Sequence, residues 1–581
     1  MTRPIQIQTR RYRSSEWFYG RDELGFQNRS ALRSIGVDVD RYQGRPVIGI
    51  ANSWSELNNC NITLRDVAEA VKRGVLAAGA LPLEFPTISL GEEFTKPSAM
   101  LYRNLMAMDV EEMLRSNPID AVVLLSNCDK TGPAQLMGAA SANFPAIQVN
   151  AGPRAPFEWR GEQIGSGTDL WKYWDQFRTG QISEAQWREL EHCMSCSQGA
   201  CNVMGTASTM AAMAEALGMM LPGSSTIDAT DPDRLVAAEA AGRRIVALAE
   251  ANLRPSDIMT PAAFDNAVRV LLAIGGSTNA ILHLIAIAGR LGQTLPLSRF
   301  DELGATTPCL ANLKPSGVHL VRQFHLAGGV PALMKTIEHH LDSTCLTVTS
   351  QSVAANLANA RVTDPDVIRP LTNPVLGAGA LAVLTGNLAP LGAVIKVSAA
   401  SPNLLIHEGP ALVFSDYEDM LARIESPDLE VTADTVLVLQ NCGPRGVPGM
   451  PEWGAIPIPA KLQRQGITDM VRLSDARMSG TSYGTVVLHV CPEAAAGGLL
   501  ALVQTGDRIK LDVPARRLDL QVSPEVLATR RPTPRPRTHL RGYPRLYTDH
   551  VLQADEGCDF DFLRPRTEEE LVFVPPIVGR S

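Results

Sequence analysis

No stretch of the chain is apolar for long enough to cross a bilayer. The most apolar span, Ala267 to Gly289, is interrupted by Arg269, Gly275, Gly276, Ser277, Thr278 and Asn279, which a hydrocarbon core would penalise, so no membrane helix is expected. A positive excess is also missing. With 53 Lys and Arg against 61 Asp and Glu the net charge is -8, whereas a nucleic-acid binder normally shows a basic surplus; a small-molecule partner is favoured and nucleic acid is not. The one basic stretch, Arg530 to Arg545, is threaded with prolines and followed by Asp555, Glu556, Asp559 and Asp561; it reads as an extended connection. Arg10, Arg11 and Arg13 precede no apolar segment, so they read as an exposed basic arm rather than a secretion signal, and a cytoplasmic location is expected. Cysteines are too sparse for a disulfide framework: there are ten in 581 residues, and in a reducing compartment they stay thiols open to metals. There is no internal repeat.

What remains is an ordinary globular composition, 45% hydrophobic and 20% charged, over a length that suggests two or three domains. From Arg45 short apolar runs alternate with helical periodicity. Pro46 to Ala51 reads as a strand, and Thr63 with Asp66 as a capping box opening a helix. In that helix Val67, Ala70, Val71, Gly74, Val75 and Ala78 follow the i, i+3, i+4, i+7 rule. Strands are expected at Pro86 to Leu90, Ile119 to Ser126 and Ala146 to Asn150. Helices are expected at Ser98 to Arg115, Pro133 to Ala142, Asn202 to Leu217, Asp231 to Ala251, Pro261 to Ala273 and Ala280 to Leu291. Such alternation predicts an α/β fold with a parallel sheet flanked by helices. A Trp-rich polar insertion lies between Trp159 and His192. From about Leu391 short β-rich runs take over, at Ala393 to Val397, Ala411 to Ser415, Thr435 to Gln440, Thr485 to Val490 and Arg508 to Val513, which predicts a β-barrel-like second domain. The division is placed between 1–385 and 386–581.

Parallel sheets bind ligands beyond the carboxyl ends of their strands. That rule singles out Cys60 after the first strand, Gly91 and Glu92 after the second, and Cys128, Asp129 and Lys130 after the third. Cys60, Cys128 and Cys201 each precede a helix or begin one, a position that favours thiolate. Their wide spacing matches no local metal motif, and on position alone they read as buried inert thiols. Cys193 and Cys196 form a C-x-x-C without a second pair, which reads as structural thiols, since a zinc site needs four ligands. Taken singly, Glu92 and Glu452 are solvated loop carboxylates, Asp129 with Lys130 a surface ion pair, and Ser479 a turn former or helix cap. The Gly443 to Gly449 loop lacks the G-x-G-x-x-G spacing of a dinucleotide site and reads as a site-lining turn.

Six segments together carry a resemblance. They are Cys128-Asp-Lys-Thr-Gly-Pro, Cys201-Asn-Val-Met-Gly-Thr-Ala-Ser-Thr-Met, Gly275-Gly-Ser-Thr-Asn-Ala, Gly386-Asn-Leu-Ala-Pro, Gly443-Pro-Arg-Gly-Val-Pro-Gly-Met-Pro-Glu and Arg477-Met-Ser-Gly. In this order, over about residues 45 to 500, they resemble the family of dihydroxy-acid, phosphogluconate and pentonate dehydratases. The tail Tyr547 to Leu563 resembles its L-arabinonate and D-xylonate branch. The resemblance implies a two-iron two-sulfur cluster on Cys60, Cys128 and Cys201, with one iron position open. It implies Mg2+ on Glu92, Asp129, Glu452 and a carbamylated Lys130, because carbamylation turns a repelling cation into an oxygen ligand. It makes Ser479 the base, and Ser277, Thr278 and Thr481 candidates for substrate contact. The implied reaction removes water from an aldonic acid to leave a 2-keto-3-deoxy acid. The implied assembly is a homodimer or homotetramer whose tail reaches a neighbouring subunit. The branched-chain dihydroxy-acid dehydratase and a non-enzymatic iron-sulfur protein are the rivals. Asp475-Ala-Arg and Leu488-His489 depart from the family's usual D-G-R and G-H.

Overall fold

A computed structural model describes residues 12–194, 196–532, 541–567 and 570. Arg10, Arg11 and the central part of the proline-threaded stretch, residues 533–540, lie outside the described residues.

The first domain is built on four parallel strands, β1 (Val47–Asn52), β2 (Leu81–Pro86), β3 (Ala121–Ser126) and β4 (Ala146–Asn150), in the order β2-β1-β3-β4. β1 and β3 are buried at every position, as expected of strands covered on both faces. One covering layer is the helix Leu64–Ala77 against the helix Asp233–Ala251. These cross closely at two glycines: a Cβ on Gly74 would strike the carbonyl of Glu239, and one on Gly242 that of Val71. Two expectations fail here. Thr63 makes no capping bond and its hydroxyl is buried without a partner, so packing rather than a capping box sets that helix start. The second strand ends where it was expected to begin, because Ile88 to Gly91 leaves the sheet as the loop that delivers Glu92. The Trp-rich insertion folds as a hairpin, β5 (Phe157–Trp159) with β6 (Glu162–Ile164), and two helices, Thr168–Arg178 and Glu184–Met194.

The second domain is one eight-stranded sheet. Its strands are β7 (Ala382–Leu384), β8 (Gly392–Ile395), β9 (Ile406–Phe414), β10 (Val436–Leu439), β11 (Arg472–Ser474), β12 (Val486–Cys491), β13 (Arg508–Asp512) and β14 (Arg517–Leu520), in the order β14-β13-β9-β10-β11-β12-β8-β7. The edges nearly meet, since Thr385 bridges Arg517, so the sheet curls into a barrel whose open edges are minimised. β7 and β11, three residues each, are too short to read as strands in the sequence, and β14 was not expected as one. Alternate residues, such as Val436 and Val438 or Ile509 and Leu511, fill the barrel. The outward Val383, Val394, Val486 and Leu488 join the core of the first domain, so the two domains share a continuous apolar contact.

The tail folds back onto its own chain. The helix Gly542–His550 and the turn after it place Tyr547, Cys558 and Phe560 against Met100, Leu101 and Met450. Arg290 pairs with Asp559 at 2.6 Å with both side chains fully buried. Among the described residues no helix is long and apolar enough to cross a membrane.

The Gly443 to Gly449 turn is held by one buried acid. The backbone N–H groups of Arg445 and Gly446 donate to Glu493 at 2.9 Å. Burial and the neighbouring Asp475 push Glu493 up to about 7 from an ordinary 4.5, and burial pushes Asp475 up to about 6. The folded protein therefore keeps a proton on Glu493 where the unfolded chain has lost it, so stability declines as pH rises from about 4.5 to about 7, by up to roughly 3 kcal/mol for this group. Glu493→Gln is expected to flatten the fall in melting temperature between about pH 5 and pH 7.5; an unchanged slope would remove Glu493 as its cause.

Candidate active site

The strand-end loops of the first domain and the β10–β12 loops of the second meet around a cavity of about 840 Å3. Its wall includes Cys60, Glu92, Cys128, Asp129, Cys201, Glu452, Ser479 and Thr481.

Lys130 immediately precedes the helix Thr131–Ala142 and is fully buried. Its Nζ contacts Asp129 and lies 3.4 Å from Glu92 Oε2 and 3.5 Å from Glu452 Oε1. Burial alone would lower its pKa; Asp129 and Glu92 outweigh burial and hold the ammonium well above its usual range. Burial raises Glu92, offset in part by Lys130, while Lys130 and Arg477 pull Glu452 down against burial. Arg477 Nη1 and Asn279 Nδ2 each donate to Glu452 Oε1 at 2.8 Å. Arg477 Nη2 donates to Ser98 Oγ at 2.9 Å, and that hydroxyl donates to Glu92 Oε1 at 3.0 Å. Glu92 Oε2 is buried and accepts no hydrogen bond. The lysine ammonium thus stands among three carboxylates where a cation would stand, and an all-oxygen set with one oxygen spare fits a hard divalent ion.

Cys60 lies in the short turn Asn59–Asn61 after β1, and Cys128 in the loop after β3. Two asparagines lock these loops together: Cys128 N donates to Asn61 Oδ1 at 3.0 Å, and Asn127 Nδ2 donates to the Cys60 carbonyl at 2.7 Å. The sulfurs of Cys60 and Cys128 and a carboxylate oxygen of Glu93 lie within 4.8 Å of one another. Cys201 opens onto the same cavity. It sits ahead of the helix Thr206–Ala216 rather than in its first turn. The expected lowering of the thiols is absent. A hydrogen bond with Cys128 would lower Cys60, yet burial and Glu93 leave it raised. The same bond and burial push Cys128 well up, and burial pushes Cys201 up to about 11. Water exclusion outweighs a helix terminus that is not close enough to matter. Three soft sulfur donors facing one space fit an iron-sulfur group. Cys196 is exposed, with its Sγ 3.9 Å from the Ala155 carbonyl, and neither it nor Cys193 is on the cavity wall.

Ser479 follows β11, on a loop pressed into the first domain. A Cβ on Gly480 would stand 2.6 Å from Thr206 N and 2.7 Å from Ser277 Oγ, so only glycine permits this approach. Ser479 Oγ is 2.9 Å from Thr481 Oγ1, which also accepts from Trp171 Nε1 at 3.2 Å. Asn279 ties this loop to the carboxylates, donating to both the Met478 carbonyl, at 3.1 Å, and Glu452. Thr481 is on the wall, whereas Ser277 and Thr278 are buried beneath it.

Sequence reasoning missed several wall residues. Trp171 and Trp174 come from the insertion, Tyr417 stacks on Trp453 with ring centroids 4.1 Å apart, and Arg154 and Glu93 flank the thiols. The Trp-rich composition of the insertion was the visible sign of Trp171 and Trp174 alone. Asn279 and Arg477 lay inside the family-like segments Gly275 to Ala280 and Arg477 to Gly480 without an expected role.

Fold and site together define a two-domain protein, an α/β sheet domain and a barrel-like domain, with a cavity between them lined by carboxylates, thiols and a serine hydroxyl. The chain belongs to the dihydroxy-acid/6-phosphogluconate dehydratase family: the N-terminal family model matches residues 45–356 and the C-terminal one residues 366–558. It is 51% identical over 570 residues to the 6-deoxy-6-sulfo-D-gluconate dehydratase of Pseudomonas putida, covering 97% of this chain and 98% of that one. It is 49% identical over 559 residues to the L-arabinonate dehydratase of Rhizobium leguminosarum bv. trifolii (strain WSM2304), covering 96% of each. The L-arabonate dehydratase of Azospirillum brasilense is 51% identical over 564 residues, with 95% of this chain and 97% of that one covered.

Proposed function

We propose that this dehydratase removes water from a sugar acid, a pentonate such as L-arabinonate or D-xylonate, to give a 2-keto-3-deoxy acid. The observation that carries the reading is the cavity shared by Glu92, Asp129 and Glu452, which cage the buried Lys130, by the three thiols and by Ser479. Near-full-length similarity to sugar-acid dehydratases supports it.

Cys60, Cys128 and Cys201 would hold a two-iron two-sulfur cluster, and Glu92, Asp129, Glu452 and carbamylated Lys130 would hold Mg2+. Bound there, the two groups supply Lewis acidity that acidifies the proton on C2 and eases departure of the 3-hydroxyl. Carbamylation requires Lys130 to lose the proton its carboxylates now stabilise, so entry of the cation and modification of Nζ are coupled. Ser479 Oγ, oriented by its contact with Thr481 Oγ1, would take the C2 proton as the alkoxide that a divalent ion held by the carboxylates would stabilise, and would return that proton to the departing 3-hydroxide so that water leaves. Arg477 and Asn279 keep Glu452 ionised and aligned. Trp171, Trp453 and Tyr417 give the cavity apolar faces for the C–H sides of a sugar chain and keep water off the reacting carbons. Loss of water is redox-neutral, so no nicotinamide is required.

The test is a keto-acid assay of the anaerobically purified enzyme across pentonates, hexonates, a 6-sulfonated hexonate and a branched 2,3-dihydroxy acid. Turnover confined to the branched acid would replace the sugar-acid reading with the biosynthetic one. Cys128→Ser is expected to lose iron and activity together; an iron-replete, active variant would contradict the ligand set.

A further inference from the structure

We infer that Glu93 is a charge that holds the cluster in its oxidised form, so that the site serves as a Lewis acid rather than an electron carrier. The inference rests on the cluster reading above and concerns a residue outside the ligand set.

Glu93 has an unusual position for a carboxylate. It is exposed to the cavity, and one of its oxygens lies within 4.8 Å of the sulfurs of both Cys60 and Cys128. Among the described residues it makes no hydrogen bond and no ion pair, although Lys96 and Arg154 line the same cavity. Such a carboxylate sets a fixed negative charge beside two thiols. The field of that charge falls on any group held by Cys60 and Cys128. The same field opposes the arrival of an electron, because reduction adds negative charge to a group close to a fixed negative charge. A cluster that must polarise a hydroxyl is useful only while its irons stay ferric and electron-poor.

Arg154 provides the counterweight. It lines the same cavity, with one guanidinium nitrogen donating to the Met194 carbonyl at 3.3 Å and Nε buried without a partner. Its charge is opposite in sign to that of Glu93 and faces the same cavity. Two nearby charges of opposite sign therefore set the potential, and removing each should move it in a different direction.

The experiment is spectroelectrochemical titration of the anaerobically reconstituted full-length enzyme, comparing wild type with Glu93→Gln, Glu93→Asp and Arg154→Gln at equal iron content. Glu93→Gln is expected to be easier to reduce, raising the reduced-to-oxidised ratio at a fixed poise about tenfold, which is about 59 mV for one electron. Glu93→Asp should stay near wild type and Arg154→Gln should shift the opposite way. A Glu93→Gln midpoint indistinguishable from wild type overturns the inference, as does a change in KM alone. Loss of the cluster in Glu93→Gln overturns it too, since Glu93 would then be needed to hold iron. Absence of any cluster in the wild-type enzyme would instead defeat the cluster reading itself.

Discussion

Ser479→Ala lowers turnover by at least about 1,000-fold while iron content, visible absorption and Mg2+ binding stay at wild-type levels; that is the expected result, within the range by which a positioned acid–base group accelerates a reaction. The substitution removes a single oxygen. Its neighbours hold the loop without it: Gly480 remains packed against Thr206 and Ser277, the Met478 carbonyl still accepts from Asn279, and Thr168 Oγ1 still donates to the Thr481 carbonyl at 2.8 Å. A loss of activity with intact metal content thus isolates proton transfer from metal binding. Turnover retained within about tenfold would exclude Ser479 as the base.

Lys130→Met should abolish turnover and also change how stability depends on metal. In the metal-free protein the ammonium is the cation that faces Asp129, Glu92 and Glu452 from a fully buried position. Its removal leaves acids crowded together in a water-poor place with Arg477 as their remaining close cation, a cost of about 3 kcal/mol by comparison with other broken buried pairs. The metal-free melting temperature is expected to fall, and Mg2+ should raise it more in the variant than in wild type, because the ion then takes the place of the ammonium. Activity should not return, since the oxygen ligand supplied by a carbamate is gone. Thermal melts in EDTA and in Mg2+, read beside the keto-acid assay, make the comparison. Equal metal-free stability with retained turnover would remove Lys130 from the site.

Much of this arrangement was legible in the sequence. The alternation from Val47 to Asn150 marked a parallel sheet, because doubly covered strands are continuous apolar runs and the intervening helices carry a 3.6-residue period. The strand-end rule then ranked Cys60, Glu92, Cys128, Asp129 and Lys130 above other polar residues; the first four line one cavity, and Lys130 is buried against its carboxylates. The shortest barrel strands escaped, β11 among them, because three apolar or mixed residues carry no period. The burial of Cys60 and Cys128 was expected from position, but the thiolate character expected from a nearby helix end was not met, because exclusion of water outweighs it.

By itself the sequence determined the order of elements, the two-domain division of texture and the inventory of groups able to bind metal or move a proton, since these follow from local periodicity and side-chain chemistry. Only the tertiary structure decided which of those groups share a cavity. The joining of Glu452 and Met478 through Asn279, the burial of Ser277 and Thr278 beneath the wall, and the approach of Glu93 to two cysteines all depend on packing between segments far apart in the chain. Such contacts are set by the shared core of the two domains, whose geometry is a property of the whole fold.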